Sequence, residues 1–207
     1  MAMAQPQEQE PLYMSEAEYL EFEENSEFKH EYVNGRVYAM SGGSVRHGVI
    51  TVNISTDLNI QLEDKDCRVS SPDTRVKVES MKSFRYPDIT VYCGKEDYVN
   101  NRVDTLGNPL VIVEVLSPST ALTDRNEKLE EYIKSETLQE YVLVSQNEAK
   151  VEVFTRHESG KWLYSIAKGL EASFELASID CKLELSRIYR KVTLDNVATS
   201  DGSEEAD

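Results

Sequence analysis

A glutamate, an aspartate and a lysine stand in this sequence where side chains of their type need a reason. Glu114 lies inside NPLVIVEVLSPST, residues 108–120, an otherwise largely apolar run. Desolvating an unpaired carboxylate costs several kcal/mol or forces it to keep its proton. Its compensation is an ion pair, a bulge that returns it to water, or a metal. Asp88 follows Pro87 at the head of YPDITVYC. Side chains alternate along a strand, so Glu114 shares a face with Ile112 and Leu116, and Asp88 shares one with Thr90 and Tyr92. If these strands are neighbours, the two carboxylates converge, and hard oxygen ligands held at one spot suit Mg²⁺ or Mn²⁺. In TALTDRNEKLEEYIKSE, Lys128 borders the inward stripe of Leu129, Tyr132 and Ile133, with Asp124 one turn before it. A lysine there brings positive charge to the same place. Each residue also has a plainer reading. Pro87-Asp88 is an ordinary strand entry, Lys128 can pair with Asp124 or reach to solvent, and a Glu114–Lys128 ion pair without any ligand would satisfy the buried charge.

The elements that must position these residues are readable around them. Ser15 followed by Glu18 is a capping-box pattern that starts a short helix in AEYLEFEEN. In HEYVNGRVYAM, Asn34-Gly35 separates two β-rich runs and predicts a hairpin over 30–40. The stretch SVRHGVITVNISTDLNIQLED fits both periods, and its length favours a helix. RVSSPDTRVKVE and RYPDITVYC read as strands broken by turn residues, and LVIVEVLS as a central strand buried on both faces. A helix follows, then EYVLVS, KVEVFTR and KWLYSIA as strands, the last two joined through a turn at His157–Gly160. A strand, a helix and a further strand in succession suggest a parallel crossover, so the class is α/β with a mixed sheet. Residues 1–11 are expected to be disordered, 12–194 to form one domain, and 195–207 to be an acidic disordered tail.

The 22 basic and 38 acidic residues give a net charge of −16, which opposes a nucleic-acid partner. Its distribution weakens that objection. Nine acids against one base fall in residues 1–31, and five acids without a base in 195–207, so residues 32–194 carry only −3. Between 65 and 95, seven cations (Lys65, Arg68, Arg75, Lys77, Lys82, Arg85, Lys95) outnumber four acids. Phosphate contact and a solvated surface both fit that segment, the second better. Cys67, Cys93 and Cys181 are odd in number and contain no CxxC pair, so they read as reduced thiols. No stretch has the length of a signal peptide's apolar region or a membrane span, and a cytoplasmic location is expected.

Pro87-Asp88 with Glu114 in VEV resembles the PD-(D/E)XK signature of restriction-endonuclease-like nucleases. The chain is more closely similar to the Uma-type restriction endonuclease family. The resemblance rests on Glu31 in HEYVNGRV, His47 in RHGVI, YPDITV, VEVLSPST, and Asp124, Lys128 and Tyr132 spaced as D-x-x-x-K-x-x-x-Y, and it extends from about residue 12 to 192. It implies a restriction-endonuclease-like core and a Mg²⁺- or Mn²⁺-dependent endonuclease acting on nucleic acid, in particular DNA, as a homodimer. Asp88, Glu114 and the main-chain carbonyl of Val115 are the implied metal ligands. Lys128 orients a water or stabilises developing charge, Glu31 is a further acid bordering the site, and His47 is a weaker candidate. The sequence departs from the general signature at Leu116, where lysine is usual, and the lysine of this family sits on the next helix, as Lys128 does. Lys128→Ala is expected to abolish cleavage and leave the fold intact. A noncatalytic nucleic-acid- or protein-binding module on the same scaffold is the alternative.

Overall fold

The computed structural model describes residues 12–40, 42–118 and 120–195. The segments expected to be disordered, 1–11 and all of the tail after Asp195, lie outside the described residues. Among these residues, fourteen strands form two six-stranded sheets and a small pair. The central sheet has the order β12-β11-β10-β9-β7-β4, made of Trp162–Lys168, Lys150–Arg156, Glu140–Ser145, Val111–Leu116, Ile89–Cys93 and Cys67–Ser70. It is mixed, because β9 and β10 run parallel while every other pair is antiparallel. The parallel pair is joined by the expected crossover helix. That helix comprises α3 (Ala121–Thr123), a π-helical turn (Asp124–Lys128) and α4 (Leu129–Tyr132).

A second sheet has the order β1-β3-β2-β6-β5-β8, made of Leu12–Tyr13, Arg36–Ala39, His30–Val33, Ser83–Arg85, Arg75–Val78 and Thr105–Leu106. Its hairpin β2–β3 turns at Asn34-Gly35, with φ of 44° and 94°. Two successive positive φ values are what the Asn-Gly pair supplies at low cost. Helix α1 (Glu16–Glu24) packs on this sheet through Tyr19 and Leu20 and starts with both halves of the capping box, Ser15 and Glu18. The chain passes between the sheets five times, among them at 71–74 from β4 to β5 and at Tyr86-Pro87-Asp88 from β6 to β7. Asp88 therefore stands at the seam where the chain leaves one sheet and enters the other.

Helix α2 (Val45–Gln61) covers one face of the central sheet. Ile50, Ile54 and Leu58, one turn apart, are at most 1% exposed and pack on Ile89, Val91, Val111, Val113 and Val115. Each such burial contributes about 1.5–3 kcal/mol. The pair β13 (Ser173–Leu176) and β14 (Cys181–Glu184), with α5 (Leu185–Ile188), closes the same core. On the opposite face, Ile112, Leu116, Tyr132, Leu138, Tyr141 and Leu143 pack with Val76 and Val78 of the second sheet. The carboxylate of Glu114 is on this side.

One expectation is corrected. Cys67 and Cys93 are not free thiols: they face each other in the antiparallel register of β4 and β7 and form a disulfide, while Cys181 is a buried free thiol. Register, not spacing along the sequence, brings the two sulfurs together. Among the described residues, no helix is long and apolar enough to cross a membrane.

Candidate active site

The antiparallel register of β7 on β9 sets Ile89 opposite Val113, so Asp88, one residue earlier, lies beside Glu114. One oxygen of Asp88 is committed to the protein. Its Oδ2 accepts the main-chain N–H of Val115 at 2.7 Å and lies 3.0 Å from His47 Nε2. His47 is aimed by the first turn of α2, where Ser44 Oγ accepts the His47 N–H and donates to Gln146 Oε1 beyond β10. Hydrogen bonding to the Asp88 carboxylate raises the pKa of His47, against the effect of burial.

Glu114 is 3% exposed. Its Oε1 accepts from Lys128 Nζ at 2.9 Å and from the Tyr132 hydroxyl at 3.4 Å. The same ammonium lies 3.1 Å from Asp124 Oδ1 and 3.4 Å from Glu31 Oε1. Asp124 and Lys128 are the first and last residues of the π-helical turn, which the Tyr141 hydroxyl holds by donating to the Asp124 carbonyl at 3.0 Å. Such turns often mark functional positions, because they widen the helix and re-aim its side chains. The turn preceding the helix is built by Ser117 and Thr120, whose hydroxyls lie 3.0 Å apart and each accept the other residue's N–H.

A second buried cation completes the cluster. Arg85, 2% exposed, grips Glu131 through Nε and Nη2 at 3.1 and 2.6 Å and donates to Glu31 Oε2 from Nη1 at 2.7 Å. Five carboxylates, Glu31, Asp88, Glu114, Asp124 and Glu131, thus gather around Lys128 and Arg85. Negative charge is in surplus. Burial pushes the Glu114 carboxyl up to about 8; Lys128 opposes the rise, and Asp88, Asp124 and Glu31 reinforce it. Burial also works against the Lys128 ammonium, but its three carboxylate neighbours prevail and raise its pKa. For Glu31, burial is outweighed by Lys128 and Arg85, so its carboxyl titrates below the ordinary value.

Asp88, Glu114, Val115, Asp124, Lys128 and His47 line one cavity of about 630 Å³. Glu31 does not reach it. Glu31 lines an adjoining cavity of about 390 Å³ with Arg85, and Lys128 and Asp124 belong to both. Lys128 is the link between the predicted site residues, and its three carboxylate contacts revise one expectation: Lys128→Ala leaves buried carboxylates uncompensated, so the fold is not indifferent to it. Leu116 is packed in the apolar core, and the ammonium reaches Glu114 from the helix instead. Sequence reasoning missed the place of Arg85 and Glu131 in this cluster. The available signal was an arginine inside SFRYP, a short run with no other charge.

The surplus charge tests whether a divalent cation fits. Among the described residues, no three Asp, Glu, His or Cys side chains form a ready metal cage. Two carboxylates on adjacent strands, one with an oxygen held by Val115 and His47 and the other with an oxygen held by Lys128, still form a hard-oxygen pair on a common cavity. Glu31 Oε1 and Asp124 Oδ1 are buried without hydrogen bonds, each within ion-pair distance of Lys128. A hard cation suits that donor set, completing its shell with main-chain and water oxygens. The basic segment 65–95 supplies no comparable phosphate site. Lys65 is paired with Asp180, Arg68 with Asp66 and Glu96, Arg75 with Asp104, Lys77 with Glu16 and Glu79, and Arg85 is buried.

Comparison with known proteins agrees with this architecture. Residues 16–186 match the Uma2 family, described as "Putative restriction endonuclease". Two uncharacterized proteins of Synechocystis are similar along most of their length. The protein slr1290 is 35% identical over 177 residues, covering 86% of this chain and 92% of the relative. The protein sll1609 is 31% identical over 164 residues, covering 79% and 93%. A crystal structure from Anabaena variabilis, described as "a putative nuclease belonging to DUF820", superposes with a TM-score of 0.71 at 17% identity, covering 85% of this chain and 97% of the other. At that identity the likeness establishes the nuclease-like fold.

Proposed function

The chain belongs to the Uma2 family, and from that premise we propose that it is a metal-dependent endonuclease hydrolysing phosphodiester bonds in DNA. The observation that carries the reading is the meeting of Asp88 and Glu114 on adjacent strands with Lys128 on Glu114, in one cavity, under a surplus of negative charge. Asp88, Glu114 and the Val115 carbonyl would hold Mg²⁺ or Mn²⁺. Such an ion, when bound, polarises a phosphoryl oxygen and lowers the pKa of a coordinated water. The chain's own groups do the rest. Val115 N–H and His47 fix by one oxygen the Asp88 carboxylate, which lines the cavity. Lys128 steadies Glu114 and brings a buried positive charge beside the position where charge develops on the phosphate. Glu31, clamped by Arg85, adds a second carboxylate 3.4 Å from the ammonium. A cytoplasmic location and a homodimer with two sites go with that reading.

The pairing of most cations in segment 65–95 favours a second reading, a noncatalytic binding module on the same scaffold. Mn²⁺ binding and cleavage separate the two. The endonuclease reading expects Mn²⁺ to bind the parent and not Asp88→Asn, and Mg²⁺ or Mn²⁺ to support cleavage of plasmid or linear DNA by the parent alone. Absence of both from the folded parent would overturn it.

A further inference from the structure

The central sheet ends on one side at β12, and among the described residues no strand pairs with its outer side. Leu163, Tyr164 and Ile166 on this strand are 54%, 54% and 51% exposed. Unpaired edges usually carry a proline, a bulge or an inward charge that discourages further pairing. Trp162-Leu163-Tyr164-Ser165-Ile166-Ala167 carries no proline, glycine or charge, and the strand's one charge, Lys168, is its last residue. The opposite edge, β4, is four residues long, includes Arg68 and is tied to β7 by the disulfide.

The apolar layer beneath the active-site face is also unfinished at this edge. Ring neighbours run across the sheet from Tyr132 to Tyr141 at 5.1 Å, to Phe154 at 6.3 Å and to Tyr164 at 5.0 Å, where the row stops half in solvent. The direction of the free backbone groups follows from the ladder. Arg156 N–H donates inward to Gln139, so its cross-strand partner Trp162 turns its own N–H and C=O outward. By alternation Tyr164, Ile166 and Lys168 do the same.

We propose that the outer edge of β12 is the pairing surface for a second copy of this chain, joined antiparallel about a two-fold axis through Ser165. The strand is complementary to itself in that register. Tyr164 faces Ile166, Leu163 faces Ala167, Trp162 faces Lys168, and Ser165 faces its own counterpart. Each apolar side chain that the edge exposes meets an apolar one, and the lysine meets an indole ring, a favourable cation–π partner. The aromatic row continues through Tyr164 onto the partner's sheet. The contact is isologous and uses the same edge on both copies, so it closes as a dimer and leaves only β4 at the ends. It stands independently of what the site cleaves.

Sedimentation of the full chain from about 1 to 100 µM, a range that captures micromolar association, tests the pairing. The expected result is a dimer, with Ile166→Lys a folded monomer by circular dichroism. Ser165→Cys gives a register-specific readout that does not depend on Ile166→Lys folding. Opposed at a non-hydrogen-bonded position, two such cysteines cross-link between chains under mild oxidation, whereas Leu163→Cys, opposite Ala167, does not. A parent that stays monomeric throughout the range overturns the proposal. So does a dimer in which Ser165→Cys fails to cross-link.

Discussion

Toward α2, β9 presents Val111, Val113 and Val115, all at most 1% exposed; toward α4 it presents Ile112, Glu114 and Leu116, also buried but with a carboxylate at the centre. Burial alone does not distinguish the faces. The valine face is satisfied by any close-packed apolar neighbour, because dispersion and water exclusion have no direction. The glutamate face needs specific partners, and they come from the π-helical turn, α4 and, through Glu31 and Arg85, the second sheet. One side of the strand is built for stability; the other sets chemistry against stability.

The sharpest way to break that contrast is to change one atom type on the polar face. Glu114→Gln keeps the shape and can still accept from Lys128. Metal-supported DNA cleavage is expected to fall by about 10³-fold or more, equivalent to about 4 kcal/mol, while the unfolding free energy shifts by less than about 1 kcal/mol. Retained cleavage would remove Glu114 from the chemistry. Lys128→Ala touches both properties, because it strands three carboxylates. It is expected to abolish cleavage and to destabilise by about 3–5 kcal/mol in urea titration. Val113→Ala, one residue from Glu114 but on the other face, is expected to cost about 2–3 kcal/mol by the same titration and to leave cleavage unchanged at a temperature where the variant is folded.

The smallest effect concerns Glu31. Its carboxyl titrates below its ordinary value in the folded chain, so it contributes stability that is complete above the unfolded value of about 4.5 and is lost as pH falls through the folded value. The difference in unfolding free energy between the parent and Glu31→Gln is therefore expected to be largest at neutral pH and to shrink on acidification below pH 4.5. A difference that grows with acid would mean that Lys128 and Arg85 do not dominate at Glu31.

Much of this contrast was legible in the sequence, for definite reasons. Strand alternation allowed Glu114 and Asp88 to converge on condition that their strands were neighbours, because one lies within and the other at the head of a regular, buried strand whose faces cannot slip by one residue without exposing the core. The Asn34-Gly35 turn and the Ser15 capping box were legible because their chemistry is local. Arg85 and Glu131 were not, since each reads as an ordinary charge until the fold brings them together from 46 residues apart. The second sheet escaped notice because its strands are two to four residues long, too short to show a period, and because two sequence segments each divide between the sheets. The Cys67–Cys93 bond likewise depends on register, which no count of cysteines contains.

The π-helical turn from Asp124 to Lys128 makes chain length itself part of the site. Each residue advances an ordinary helix by about 100°. Deleting one residue within this turn would keep every motif letter outside it and restore a regular helix. It would also swing one flank of the cluster around the axis, separating Lys128 and Tyr132 from Glu114 or Asp124 from both. A substitution scan would pass over this constraint, whereas a scan of single-residue deletions and insertions would find it.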